Sequence, residues 1–401
     1  LALSLLSSNL TLAQQPGPSP QPDVQARPGV DLLLESPSLL QGRRIGLVTH
    51  AAGLTSSGDP TSVALLRDPR LTVTALFAPE HGLAGVVPAG QTVPDAGGRV
   101  PVYSLYGGTR RPTPEMMAGV DVFVIDLQDV GTRAYTYAST MAMVMQAARE
   151  ANKPVVILDR PNPQGGVQID GPVLEPAYRS FIGMFPIPVV HGMTIAELAW
   201  MFNAGFDINA NLTIVPLRGW TRRMLWEETG LPWVRPSPNI HTMTTPFYYA
   251  ATGVLDGTNL SNGAGGVGPF EVVVSPWLDG KRLAQRLSAV GLPGVTFEPY
   301  AAMRNGGFSS GVRLQVTDPL RFRPATTAIY ILTAVRDLYP RRFQFIQRNG
   351  RYTFDLVWGT DKIRKDIARG APARAIVARW EPDLRRFQVL RSAFLLYPER
   401  P

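Results

Sequence analysis

A chain of 401 residues is longer than one hydrophobic core usually organises, so two domains are expected. Its 45% hydrophobic and 17% charged content is that of a globular protein, and the absence of cysteine excludes disulfides, zinc–thiolate sites and thiol catalysis. The net charge of +8 favours anionic partners, but the basic residues are scattered, densest from Lys362 to Arg374, and accompany no nucleic-acid-binding motif, so no nucleic acid is expected.

Leu1 to Ala13 is an apolar run ending in Thr-Leu-Ala, which reads as the tail of a secretory signal peptide cleaved after Ala13. An exported chain, periplasmic or extracellular, is therefore expected. The run is shorter than the roughly 20 residues that cross a bilayer, so no stable membrane span is expected. Residues 14–28 read as a disordered, proline-rich linker.

Strand candidates follow at Arg44–Thr49, Val73–Phe77, Val120–Leu127, Pro154–Leu158 and Leu212–Pro216. Helical patterns at Thr61–Leu66, Pro114–Met117, Tyr137–Ala151 and Thr194–Phe202 lie between them. Near-continuous Val/Ile/Leu strands alternating with amphipathic helices indicate a parallel sheet covered on both faces. The expectation is an α/β fold: a Rossmann-like domain over residues 29–265 and a smaller C-terminal α+β domain over 266–401. The second is read from strands at Phe270–Ser275 and Gly311–Thr317 and helices at Asp279–Val290 and Thr326–Leu338.

In such sheets ligands bind beyond the C-terminal strand ends. Three consecutive ends carry polar clusters: Pro79-Glu80-His81-Gly82, Gln128 to Arg133, and Asp159 to Pro163. Glu80, His81, Asp126, Asp129, Arg133, Asp159 and Arg160 would thus share one rim. Carboxylates there suit general acid and base work, and arginines can grip a substrate carboxylate with two parallel hydrogen bonds. The same side chains could instead cap helices or pair with one another. Tyr103, Tyr106, Tyr135, Tyr137, Trp220 and Trp233 could stack on sugars or simply pack the core.

His50, His81, His191 and His241 are far apart in sequence and form no metal-ligand spacing, so no metal is expected. His191 precedes Thr194 and Glu197, which have the spacing of a helix-capping pair. Gly263 to Gly268 matches a dinucleotide-binding glycine pattern but leads into Pro269 and a strand, the wrong context. It reads as a loop facing substrate. There is no Gly-x-Ser-x-Gly elbow, and no cofactor is expected.

The blocks PEHG (79–82), PVYSLYG (101–107), QDVGTR (128–133), LDRPNP (158–163), GPVLE (171–175), HGMTIAELA (191–199), PSPN (236–239) and DGTNLSNG (256–263) resemble one family. It is the secreted exo-β-N-acetylmuramidases, long grouped as a domain of unknown function. The resemblance runs in order over residues 29–401. It implies a catalytic cleft between a Rossmann-like domain and a smaller one. It also implies release of terminal β-1,4-linked N-acetylmuramic acid from the non-reducing end of peptidoglycan fragments, which are anionic muropeptides. The family's favoured catalytic glutamate falls on Glu80. This chain departs from the family at 261–266, where Ser-Asn-Gly-Ala-Gly-Gly stands in place of a run containing an acid and an arginine, and Asp256 stands where glutamate is common.

On this reading Glu80 is the proton donor, assisted by His81, with Asp129 or Asp126 as base or nucleophile. Arg133, Tyr135, Asp159, Arg160, Asn162, His191, Asn239 and Asn259 are the candidate substrate-binding residues. The alternatives are a wall-binding protein without turnover and a related glycosidase of shifted amino-sugar specificity.

Overall fold

The computed structural model describes residues 25–98, 100–266, 268–304 and 307–400. The expected signal-peptide remnant at residues 1–13, and the expected linker up to residue 24, lie outside them. Residues 25–28, read as the end of a disordered linker, are packed instead. Ala26 is buried and donates its N–H to the Thr229 carbonyl at 2.9 Å, while Arg27 bridges to Arg218.

Six parallel strands form the main sheet: β1 (Arg44–Thr49), β2 (Thr72–Ala78), β3 (Val102–Ser104), β4 (Val122–Asp126), β5 (Val155–Leu158) and β6 (Leu212–Val215). Their order is β3-β2-β1-β4-β5-β6, so the winding reverses between β1 and β4. Alternate side chains on each strand serve opposite faces. Val122 and Val124 join Val30 and Leu33 of α1 (Gly29–Glu35) and Leu65 of α2 (Thr61–Arg67). Phe123 and Ile125 face the other way. They pack with Met141 and Met145 of α4 (Tyr137–Glu150), which follows the short α3 (Pro114–Met117), and with Ile195 and Leu198 of α5 (Ile195–Trp200). Burial on both sides is why these strands lack a polar–apolar alternation.

The second domain holds a three-stranded antiparallel sheet, β7 (Val272–Ser275), β8 (Val295–Arg304) and β9 (Gly307–Val316), in the order β7-β9-β8. Helices α6 (Thr245–Thr252), α7 (Gly280–Ser288) and α8 (Pro324–Leu338) pack about it. A two-residue hairpin, β10 (Gln347–Arg348) and β11 (Arg351–Tyr352), precedes α9 (Thr353–Trp358), α10 (Lys362–Ala368), α11 (Ala373–Ala378) and α12 (Glu381–Ser392). The second core begins earlier than residue 266, because α6 puts Phe247, Ala250 and Ala251 into it beside Ile329 and Leu332. The chain then returns: Phe387 and Phe394 are buried in the core of the first domain. Among the described residues no helix is long and apolar enough to cross a membrane.

Candidate active site

The cleft lies beyond the C-terminal ends of β2, β3 and β4. After β2 the chain makes a tight turn in which the Gly82 N–H donates to the Pro79 carbonyl at 3.0 Å. His81 (φ 73°) and Gly82 (φ 77°) both take left-handed conformations. Glycine does so freely, whereas a histidine held there stores roughly 1–3 kcal/mol of strain. Its Nδ1 lies 2.7 Å from the Val87 carbonyl, which ties the turn to the following loop.

This turn delivers Glu80 to the floor of a cleft of about 480 Å³. Glu80 is only 6% exposed, and both carboxyl oxygens accept hydrogen bonds. Oε1 accepts from the Gly90 N–H at 2.9 Å and Oε2 from the Thr136 hydroxyl at 2.6 Å. The Tyr137 hydroxyl donates to the Glu80 carbonyl at 3.2 Å and to that of Pro236 at 2.7 Å, fixing the backbone behind it. Burial and the neighbouring Glu80 carboxylate push the Tyr106 phenol above its usual range.

Both domains build the walls. The first supplies His81, Tyr106, Tyr135 and Thr136; the second supplies Tyr249 from α6, Asp256, Phe270 and Arg348 from β10. Asn239 and Ser237 come from the connecting segment. Burial, then the charges of Glu80, Asp256 and Asp129, raise the Tyr249 phenol. Among the described residues Arg348 is the one guanidinium in the lining, and Asp256 the one carboxylate there besides Glu80.

Other expected site residues are spent on internal ties. Asp126 and Arg160 are both buried and forked together, Nε to Oδ1 at 2.5 Å and Nη2 to Oδ2 at 2.8 Å, with a further bond from Arg160 to the Leu54 carbonyl. That geometry leaves neither a base nor a free clamp. Arg133 donates to the carbonyls of Pro172, Ile187 and Val357, and burial pushes its guanidinium down to about 9. Its two Nη groups thus meet protein carbonyls, where a substrate carboxylate had been expected.

Asp159 accepts from Thr194 Oγ1 (2.8 Å), Tyr397 OH (2.5 Å) and the Ala196 and Arg160 N–H groups, so it holds the start of α5. Burial raises its carboxyl to about 7 against the pull of those hydrogen bonds. Thr194 and Glu197 form the expected capping box of α5. Asp129 is buried with the Gly131 N–H on Oδ2 at 2.6 Å and His191 Nε2 3.2 Å from the same oxygen, so the pair faces inward. Asn162 donates to the Met193 carbonyl, and Asn259 binds the backbone of Arg342 and Gln344.

Of the residues expected from sequence, Glu80, His81, Tyr135 and Asn239 share the cleft; Asp126, Asp129, Arg133, Asp159, Arg160, Asn162, His191 and Asn259 do not line it. Thr136, Tyr249, Asp256 and Arg348 were not anticipated as site residues. Asp256 had a signal, as an acid at the head of the Gly-Thr-Asn block; Arg348 had none beyond the Asn349-Gly350 hairpin turn. The glycine loop meets the cleft through the Gly265 N–H, which donates to Asn239 Oδ1 at 2.9 Å. Among the described residues no three His, Cys, Asp or Glu side chains gather as a metal site.

The chain is similar to known proteins along nearly all its length. The family described as exo-β-N-acetylmuramidase NamZ, N-terminal, matches residues 45–244, and its C-terminal counterpart matches residues 247–397. The peptidoglycan β-N-acetylmuramidase NamZ of Bacillus subtilis (strain 168) is 44% identical over 386 residues, covering 94% of this chain and 92% of that protein. Crystal structures of two DUF1343 family proteins from Bacteroides fragilis superpose with TM-scores of 0.86 and 0.75, at 35% and 30% identity. In each case 94% of this chain and 100% of the other is covered. With both its domains matched and a cleft formed between them, the chain belongs to the NamZ family of exo-β-N-acetylmuramidases.

Proposed function

We infer that this chain is an exo-acting glycoside hydrolase that removes terminal β-1,4-linked N-acetylmuramic acid from the non-reducing end of peptidoglycan fragments, with Glu80 as proton donor. The observation that carries the role is a buried carboxyl at the floor of a two-domain cleft, 2.6 Å from a hydroxyl. The Thr136 hydroxyl can donate to ionised Glu80 and accept from protonated Glu80, so it serves both states that a general acid visits. His81 shapes the turn that aims the carboxyl.

Asp256 faces the same space from the second domain and is the candidate base or nucleophile, in place of Asp126 and Asp129. A separation of about 5 Å between two such carboxyls gives retention and about 6.5–9.5 Å inversion, which the anomer of the released sugar reports. Arg348 is the group suited to the lactyl carboxylate of muramic acid, since Arg133 and Arg160 are committed elsewhere. Export, to a periplasm or to the outside, fits a wall substrate and rests on Leu1 to Ala13.

The test is release of free N-acetylmuramic acid from the β-1,4-linked disaccharide of N-acetylmuramic acid and N-acetylglucosamine, by wild type and by Glu80→Gln. Release by wild type, lowered at least about 100-fold in Glu80→Gln with thermal stability kept, is expected. A folded wild type that releases no sugar from this disaccharide sinks the reading. Release from other amino-sugar glycosides alone would point to a specificity moved by the uncharged 261–266 loop.

A further inference from the structure

A second cavity of about 460 Å³ lies behind one wall of the cleft, lined by Tyr178, Arg179, Arg351, Tyr352, Asp355 and Arg364. Two short segments make the ridge between them, and each contributes to both cavities. One is the tight turn closed by the Ser180–Gly183 bridge: Ile182 faces the cleft, whereas Tyr178 and Arg179 line the second cavity. The other is the β10–β11 hairpin: Arg348 faces the cleft, whereas Arg351 and Tyr352 line the second cavity.

The charges in this cavity do not balance. Asp355 is taken by Arg364, whose guanidinium forks onto both its oxygens at 2.8 to 3.1 Å and stacks 3.8 Å from the centre of the Tyr352 ring. Arg179 and Arg351 form no ion pair among the described residues. Arg351 is moreover the direct cross-strand partner of Arg348. The turn between them, Asn349 (φ 49°) and Gly350 (φ 75°), has two left-handed residues, as the tightest hairpins require. Like charges set opposite each other on a hairpin are unfavourable without an anion to share. Residues paired in this way present their side chains on one face of the hairpin, from which Arg348 lines the cleft and Arg351 the second cavity.

We propose that the second cavity is a subsite for a carboxylate carried by the sugar two units beyond the scissile bond, gripped by Arg351 and Arg179. The proposal rests on the muramidase reading. When the terminal sugar fills the cleft, the rest of the glycan must leave over an open edge, and the two segments that contribute to both cavities mark that path. Muramic acid alternates with a neutral sugar, so the next carboxylate along the strand is two units on. It belongs either to the lactyl group of the internal muramic acid or to a peptide stem built on that group. The chemistry gripped is the same, a carboxylate on a forked guanidinium.

The experiment measures kcat/KM for sugar release by wild type, Arg351→Ala and Arg179→Ala on three substrates. These are the disaccharide, the bare tetrasaccharide, and the tetrasaccharide with a stem peptide on its internal muramic acid. The expected result is a loss of about tenfold or more in each variant on a tetrasaccharide, with the disaccharide changed less than about twofold. A loss confined to the bare tetrasaccharide assigns the lactyl carboxylate, and a loss confined to the peptide-bearing one assigns the stem. Equal losses on all three substrates, or none on any, overturn the subsite. If wild type releases nothing from the disaccharide, the muramidase reading fails on its own. The subsite is then decided by tetrasaccharide affinity, comparing Glu80→Gln with Glu80→Gln carrying Arg351→Ala: a tenfold weakening supports it and equal affinity overturns it.

Discussion

The Thr136 hydroxyl is the smallest part of the site with a separable role. Thr136→Val keeps the shape of the side chain and removes the partner 2.6 Å from Glu80 Oε2. The expected outcome is a fall of about 10- to 100-fold in kcat with KM little changed, measured on the disaccharide. Asp256→Asn should lower kcat by at least about 100-fold, whereas Asp126→Asn should act through stability, because it leaves the buried Arg160 guanidinium without its counter-charge. Unfolding experiments on the two variants separate these outcomes. Glu80 was legible in the sequence because a strand end followed by a Pro-Glu-His-Gly turn can place an acid in only one region. Asp126 and Asp159 obey the same strand-end rule and yet serve internal ties. Whether such a carboxylate faces substrate or protein depends on a partner far along the chain, Arg160 for one and Tyr397 for the other. Local sequence carries no trace of that choice.

The N-terminus of α5 collects a dense set of polar ties. Asp159, Thr194, Glu197 and Arg222 are buried there, with Glu197 Oε1 bound to Arg222 at 2.6 Å. Folding raises the Asp159 carboxyl from 3.8 to about 7, mainly through burial. The folded state therefore binds this proton more tightly than the unfolded one. The stability it contributes is full below about pH 4 and is lost as pH rises through about 7, a span worth on the order of 4 kcal/mol. Denaturant unfolding at pH 5 and pH 8 should show wild type losing stability over that interval relative to Asp159→Asn. A parallel pH dependence in both proteins would remove the group from the account. Most strands and helices of the main sheet were readable from apolar runs, and the capping box was visible as Thr-x-x-Glu. Four strands were not: β3, β8 and the two-residue β10 and β11. The strand β3 is only three residues long at the sheet edge, too short for any period to register. The strand β8 contains Pro299, which argues against a central strand; its place at the edge of the β7-β9-β8 sheet is where a missing N–H does least harm.

Charge and connectivity distinguish the two halves of the molecule. Residues 247–397 contain 21 Lys and Arg against 11 Asp and Glu, a net of +10, so the remainder carries −2 of the total of +8. Turnover of long anionic glycan should thus fall with added salt more steeply than turnover of the disaccharide, since exposed charges are screened beyond about 10 Å at 0.1 M. Equal salt dependence for both substrates would show that this asymmetry plays no part in capture. Arg133 joins the halves from the first side, reaching the Val357 carbonyl of α9 at 2.9 Å. Arg133→Met should cost several kcal/mol in unfolding free energy, because three buried carbonyls lose their donor.

The C-terminal segment joins them from the other side. Phe394 enters the core beneath the first sheet, the Leu396 N–H donates to Glu197, and the Tyr397 hydroxyl reaches Asp159 while accepting from the Leu217 N–H. On a ribosome, therefore, the earlier-made domain waits for residues 394–397 to be synthesised before its polar knot can close. A nascent chain halted near residue 245, or a product clipped before Phe394, would leave Asp159 and Glu197 buried without those donors. Synthesis of residues 394–397 is in this sense a folding step for the first domain, and a chain released before them keeps an unfinished core.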